Sequence, residues 1–189
     1  MSLQTWQETL VSANTAGTLF NTYTTAKTVL PVGCLVTLPA NWWYVGRSIR
    51  VTVAGAISNI VTTPGTITLQ VNLGAVAAFS TGAIQLNATA HTTLPFLFEA
   101  WLTCRAVGSS TSANLMGQAR VTGIMFTNTA GQTDAVNGYP TLMVPATAPA
   151  VGTGFDSTAA QTLDFFAGFS ISNAGNGIQV QQYLVEALN

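Results

Sequence analysis

The chain has 189 residues, of which 48% are hydrophobic and only 6% charged, with five basic and six acidic side chains and a formal net charge of -1. Soluble domains usually carry about 25% charged residues, so Thr, Ala, Gly, Ser and Asn must supply most of this surface. A net charge so near zero excludes strong attraction to nucleic acid or to an anionic lipid surface, and favours contact with other protein.

Residues 1–26 are polar and broken by Asn14, Gly17 and Asn21, yet they carry Trp6, Leu10, Leu19, Phe20 and Tyr23. A segment with that apolar weight predicts an N-terminal arm, mobile in the free protein and ordered on a neighbouring subunit through its aromatic anchors. The alternatives are a short helix near residues 3–11, or a segment folded back over an edge strand. The opening MSLQTWQETL has neither a basic region nor an apolar run, which reads as a chain made in a reducing cytoplasm. In that setting Cys34 and Cys104 are expected as buried free thiols rather than a disulfide. No stretch approaches the roughly 18 apolar residues that a membrane-spanning helix needs.

From Lys27 onward apolar and polar residues alternate with period two, and Gly, Asn, Pro and Ser punctuate the runs. The expected strands are 28–38, 47–56, 66–73, a weaker one at 75–86, then 94–107, 114–127, 163–172 and 178–188. Residues 128–162 make a loop too long for a simple turn, of the kind that serves function or extends over a partner. The reading is one all-β domain over 27–189: an antiparallel β-sandwich, jelly-roll-like, of about eight strands.

The stretch HTTLPFLFEAWLTCR gathers His91, Glu99, Cys104 and Arg105, the raw material of hydrolases and metal sites. As a strand it places Leu94, Phe96, Phe98, Ala100, Leu102 and Cys104 on a core face, and Leu97, Glu99, Trp101, Thr103 and Arg105 on the other. Pairing with the next strand through the SSTS turn brings Glu99 to Arg120, a cross-strand ion pair contributing about 0.2–1 kcal/mol. Glu99 and Cys104 then point to opposite faces, and His91 is the only histidine, so neither a two-histidine metal site nor a Cys–His nucleophile is favoured.

Two further groups invite a functional reading. Asp134, Asp156 and Asp164 lie in or beside the long loop, but their spacing matches no calcium loop and suits turn aspartates better. Trp42, Trp43 and Tyr44 follow Pro39-Ala40-Asn41 and could form a sugar-stacking platform, although core or interface packing of the two tryptophans is favoured. No catalytic, cofactor or metal residue is assigned. Interface roles are expected of Trp6, Leu10, Phe20, Tyr23, Trp42, Trp43, Glu99 and Arg120.

The segments GRSIRVTVAGAIS, TITLQVNLGA, FEAWLTCRAVGSSTSANLMGQARV and IQVQQYLVEALN, in that order, resemble jelly-roll accessory virion proteins of tailed bacteriophages. These are capsid decoration or cement proteins, or fibre-like components. The similarity spans residues 28–127 and the last strand, with Gln118 and Ala119 standing where a small residue or glycine is often seen. The resemblance implies a non-enzymatic structural protein on the virion surface, a symmetric oligomer, most often a homotrimer, and the major capsid protein of a phage shell as partner. A tail or fibre component contacting the host, or a carbohydrate-binding β-sandwich module, is the alternative.

Overall fold

A strand that alternates apolar and polar side chains can bury only one face, so it needs a second sheet to cover it. The computed structural model, which describes residues 7–60, 63–129 and 141–188, meets that need with two seven-stranded antiparallel sheets packed against each other. In chain order the strands are β1 (Gln7–Ser12), β2 (Phe20–Asn21), β3 (Lys27–Thr28), β4 (Val36–Leu38), β5 (Ser48–Asn59), β6 (Thr66–Leu73) and β7 (Val76–Ser80). They continue with β8 (Ile84–Leu86), β9 (His91–Ala106), β10 (Asn114–Thr122), β11 (Phe126–Thr129), β12 (Thr141–Val144), β13 (Gln161–Phe169) and β14 (Gly177–Leu188). The first sheet runs β1-β14-β5-β9-β10-β12, with β2 also on β14; the second runs β11-β8-β6-β13-β3, with β4 on β13 and β7 on β6.

The core lies between the sheets. Ile49, Val51 and Val53 of β5, Phe98, Ala100 and Leu102 of β9, and Val185 and Ala187 of β14 point inward from the first sheet. They meet Ile67, Leu69 and Val71 of β6 and Leu163, Phe165 and Phe169 of β13. Phe98 and Phe165 touch across the sandwich, with ring centroids 5.1 Å apart. Each such large side chain contributes roughly 1.5–3 kcal/mol by leaving water.

Three expected strands are divided. The 28–38 run is broken by a 3-10 turn over Val32–Cys34, which leaves β3 and β4 as two short pieces on β13. The 114–127 run breaks at Gly123, where Phe126 N–H donates to the Gly123 carbonyl (3.2 Å) and the chain crosses from β10 in one sheet to β11 in the other. Met125 and Phe126, which follow Gly123, are fully buried, which is why the apolar pattern runs on into the next strand. The 75–86 run breaks at Thr81-Gly82, where the Thr81 hydroxyl accepts from Leu69 N–H at 3.0 Å in place of a ladder carbonyl.

The expectation that the first 26 residues leave the domain is corrected for their described part. Residues 7–21 run antiparallel along β14, from Gln7 opposite Leu188 to Phe20 opposite Ile178. Between the two short strands, Ala13 N–H donates to Tyr183 O (2.7 Å) and Gly17 N–H to Val180 O (2.8 Å). Without this segment β14 would show a bare row of backbone donors and acceptors; with it, that edge is paired and Phe20 is buried. No helix forms over residues 7–11.

The long loop is corrected in the same way. Residues 130–140 lie outside the described part, but β12 pairs with Ala119–Thr122, Val151 bridges to Met116 and Phe155 to Ala113. Gly152 packs so closely on β7 that an added Cβ would collide with the Ala78 carbonyl oxygen. Residues 141–155 run along the edge of the first sheet rather than reach away from it.

Candidate functional site

The outer face of the first sheet holds the expected ion pair. Glu99 and Arg120 are direct register partners in the β9–β10 hairpin, and the Arg120 guanidinium donates to the Glu99 carboxylate. A second pair lies two strands away. Arg50 Nε donates to Glu186 Oε2 at 2.7 Å, and the Gln7 side chain donates to Oε1 of the same carboxylate. Trp101 sits between the pairs: it is the register partner of Arg50, its ring centroid is 5.9 Å from the Arg120 guanidinium carbon, and it remains 39% exposed. Both carboxylates are covered, with side chains only 9% and 15% exposed, while Arg50 and Arg120 lie over them at 35% and 47%. The result is a flat face with its charges already closed on one another.

A second surface forms where three loops meet at one end of the sandwich. Pro39-Ala40-Asn41-Trp42 is a turn, with Trp42 N–H on the Pro39 carbonyl (3.2 Å) and Asn41 at φ +59°, a backbone region that Asn tolerates. Asn41 N–H reaches Ser157 O (2.9 Å), Ser157 N–H reaches Gly108 O (2.9 Å), and Gly46 N–H reaches Cys104 O (2.9 Å), tying the loops together. Trp43 turns inward, 5% exposed, against Phe155 at 6.0 Å. Trp42 stands edge-on to Trp43 at 4.8 Å, and the Arg47 guanidinium lies 4.0 Å from the Trp42 ring centre and 4.7 Å from that of Tyr44. A ring face already stacked by arginine is not a vacant sugar platform. What this end does present to solvent is Tyr44, Val45 and Val107, all exposed.

The remaining expected interface residues are dispersed. Leu10 is partly buried at the irregularity between Thr9 and Val11 in β1. Phe20 is core, stacked on Phe169 at 6.1 Å, and Tyr23 is exposed beside it with the Lys27 ammonium 3.7 Å from its ring centre. Trp6 lies outside the described residues. The seven described positions therefore fall at four separate places and do not form one site.

His91 opens β9 and Cys104 lies near its end, thirteen residues or roughly 44 Å of extended chain away. Cys104 is buried, its thiol donates to Ala106 O (3.3 Å), and burial raises its pKa. Cys34 is likewise a buried free thiol. Asp134 is outside the described residues. Asp156 caps a turn, and the hydrogen bond from the Thr158 hydroxyl (2.6 Å), helped by backbone N–H groups, holds its carboxyl below the usual carboxylate range. Asp164 is buried beside β3, where desolvation raises its pKa against the Thr28 hydroxyl and Phe165 N–H that both donate to it at 2.7 Å. Burial also drives the Tyr183 phenol upward, with Asp164 and Cys34 adding to the push. Among the described residues no three His, Cys, Asp or Glu side chains gather where they could hold a metal ion.

Arg50, Glu186 and Arg47 escaped the sequence reading. Arg50 and Glu186 stand on strands 136 residues apart, and only the pairing of β5 with β14 brings them together. No family model matches the chain, and no curated protein matches it. Chemically, the two surfaces offer stacking, apolar contact and paired charge, which are the means of protein–protein recognition.

Proposed function

We propose that this protein is a non-enzymatic structural component of a phage virion, a cement or decoration protein that binds the major capsid protein and stabilises the head shell. The observation that carries the reading is the loop end, where Tyr44, Val45 and Val107 stand 48%, 61% and 44% exposed on a backbone locked to the sandwich. Exposed apolar surface gains about 25 cal/mol for each Å2 covered by a partner. Their loop geometry is held by hydrogen bonds, so little conformational entropy is lost on docking. The resemblance supports the same reading, since three of its four segments supply β5, the β9–β10 hairpin and β14, neighbouring strands of one sheet. A shell presents many equivalent sites, and the near-neutral chain lets copies crowd onto it without mutual repulsion.

The test is the copy number in purified virions, measured by quantitative mass spectrometry against the major capsid protein. A shell-covering role requires copies on the order of the number of equivalent shell positions, reduced by Tyr44→Asp or Val45→Asp in a fold-intact chain. A handful of copies per particle would overturn it and leave a tail or fibre position instead.

A further inference from the structure

In two neighbouring outward rows of the first sheet, four adjacent strands each contribute one charge; Arg105, farther along the same face of β9, lies one row beyond Thr103. In spatial order the four are Glu186 on β14, Arg50 on β5, Glu99 on β9 and Arg120 on β10. The chain has five basic and six acidic side chains, and two of each stand in this one array. The order acid, base, acid, base has a geometric consequence. A twofold axis parallel to the strands, passing between β5 and β9, lays β14 over β10 of a second copy and β5 over its β9. Every acid then has a base on the facing strand, one outward row away: Glu186 has Arg120, and Arg50 has Glu99, twice over. A twofold axis perpendicular to the strands would set like charges opposite each other.

We propose that this face is the contact between two copies of the chain, an isologous dimer with Trp101 near its centre. The resemblance implies a trimer; the charge order selects a twofold pair. Arg50 and Glu99 sit one outward position apart along the strands, a step of roughly 7 Å that an arginine side chain can span. The size is adequate. Four outward rows, from Gln7, Leu188, Ser48, Thr103 and Met116 to Gln182, Ala54, Leu97, Thr122 and Thr141, cross up to six strands. At about 4.8 Å between strands and about 6.8 Å between rows the face covers on the order of 700 Å2, close to the roughly 800 Å2 that each partner buries in a standard interface. Its composition also fits: Trp101, Met143 and two arginines are the types that anchor interfaces, while the threonines around them can be covered without burying a new charge. A different partner would need the complementary charge order by coincidence. A second copy carries it of necessity.

The experiment is light scattering on the purified full-length chain at micromolar concentration. The wild type should give the mass of a dimer that weakens as salt is raised. The double change E99R/R120E keeps that pair closed within the chain but makes the array acid, base, base, acid, so the twofold sets like charges together; dimer affinity should fall at least tenfold. Adding R50E/E186R reverses all four and restores the alternation, and the dimer should return. The proposal is overturned if the wild type is a monomer or a trimer, or if its association ignores salt. It is equally overturned if E99R/R120E dimerises unchanged, or if the fourfold reversal, folded by circular dichroism, does not recover. None of these outcomes touches the copy number on virions, so the two readings fail separately.

Discussion

Replacing Phe20 by alanine tests whether the N-terminal segment belongs to the domain. Phe20 is 6% exposed and stacked on Phe169, so truncation removes a buried ring and leaves a cavity under β2. Phe→Ala changes in cores cost about 3–5 kcal/mol, and a position near the sheet edge should fall at the lower end. For a chain of this length each kcal/mol moves the melting temperature by about 2–4 °C, so Phe20→Ala should melt roughly 6–12 °C below wild type. Tyr23, exposed, with its ring 5.6 Å from that of Phe20 and the Lys27 ammonium over it, serves as the smaller perturbation of the same corner. Tyr23→Ala loses an exposed cation–π contact and one aromatic pair, together about 1–2 kcal/mol, and should shift the melt by less than Phe20→Ala does. Calorimetry at one fixed protein concentration measures both. If Phe20→Ala melts with the wild type, residues 7–21 are not part of the folded sandwich, and the free-arm reading returns.

Asp164→Asn should raise the melting temperature near neutral pH, because it removes a buried carboxylate whose pKa is raised by desolvation while keeping an oxygen for Thr28 and Phe165. The folded state holds that proton more tightly than the unfolded chain does, so the wild type gains stability as pH falls through the raised pKa; the gap between the two proteins should close on acidification, and a gap independent of pH would refute the assignment. Thiol titration should find Cys34 and Cys104 unreactive in the native protein and both reactive after unfolding; rapid native labelling of either would contradict their burial. Gly152→Ala should destabilise by about 1–3 kcal/mol, since its Cβ would meet the Ala78 backbone carbonyl, and a neutral result in urea unfolding would detach residues 145–155 from the sandwich.

Much of the fold was legible because the strands that dominate it bury one face each. The β9–β10 register, and with it the Glu99–Arg120 pair, followed from a short loop that leaves little freedom in how the two strands meet. The Arg50–Glu186 pair had no such local signal, because nothing near residue 50 announces that the last strand lies beside it. The N-terminal segment read as an arm because it is polar and broken by Asn14, Gly17 and Asn21, and no local signal announces that it pairs with the last strand. The sheet change at Gly123 was hidden by the buried Met125 and Phe126 that follow it. Trp42 looked like an open platform, since only tertiary structure lays Arg47 on its ring.

The proposal that this chain is a structural protein of a phage shell is tested by an electron-microscopy map of purified particles of any phage whose genome carries this sequence. A two-sheet sandwich is expected at every equivalent position on the head, with the loop end of Tyr44, Val45 and Val107 seated on the major capsid protein. A head with no such density, on particles that contain the chain elsewhere or not at all, would contradict it.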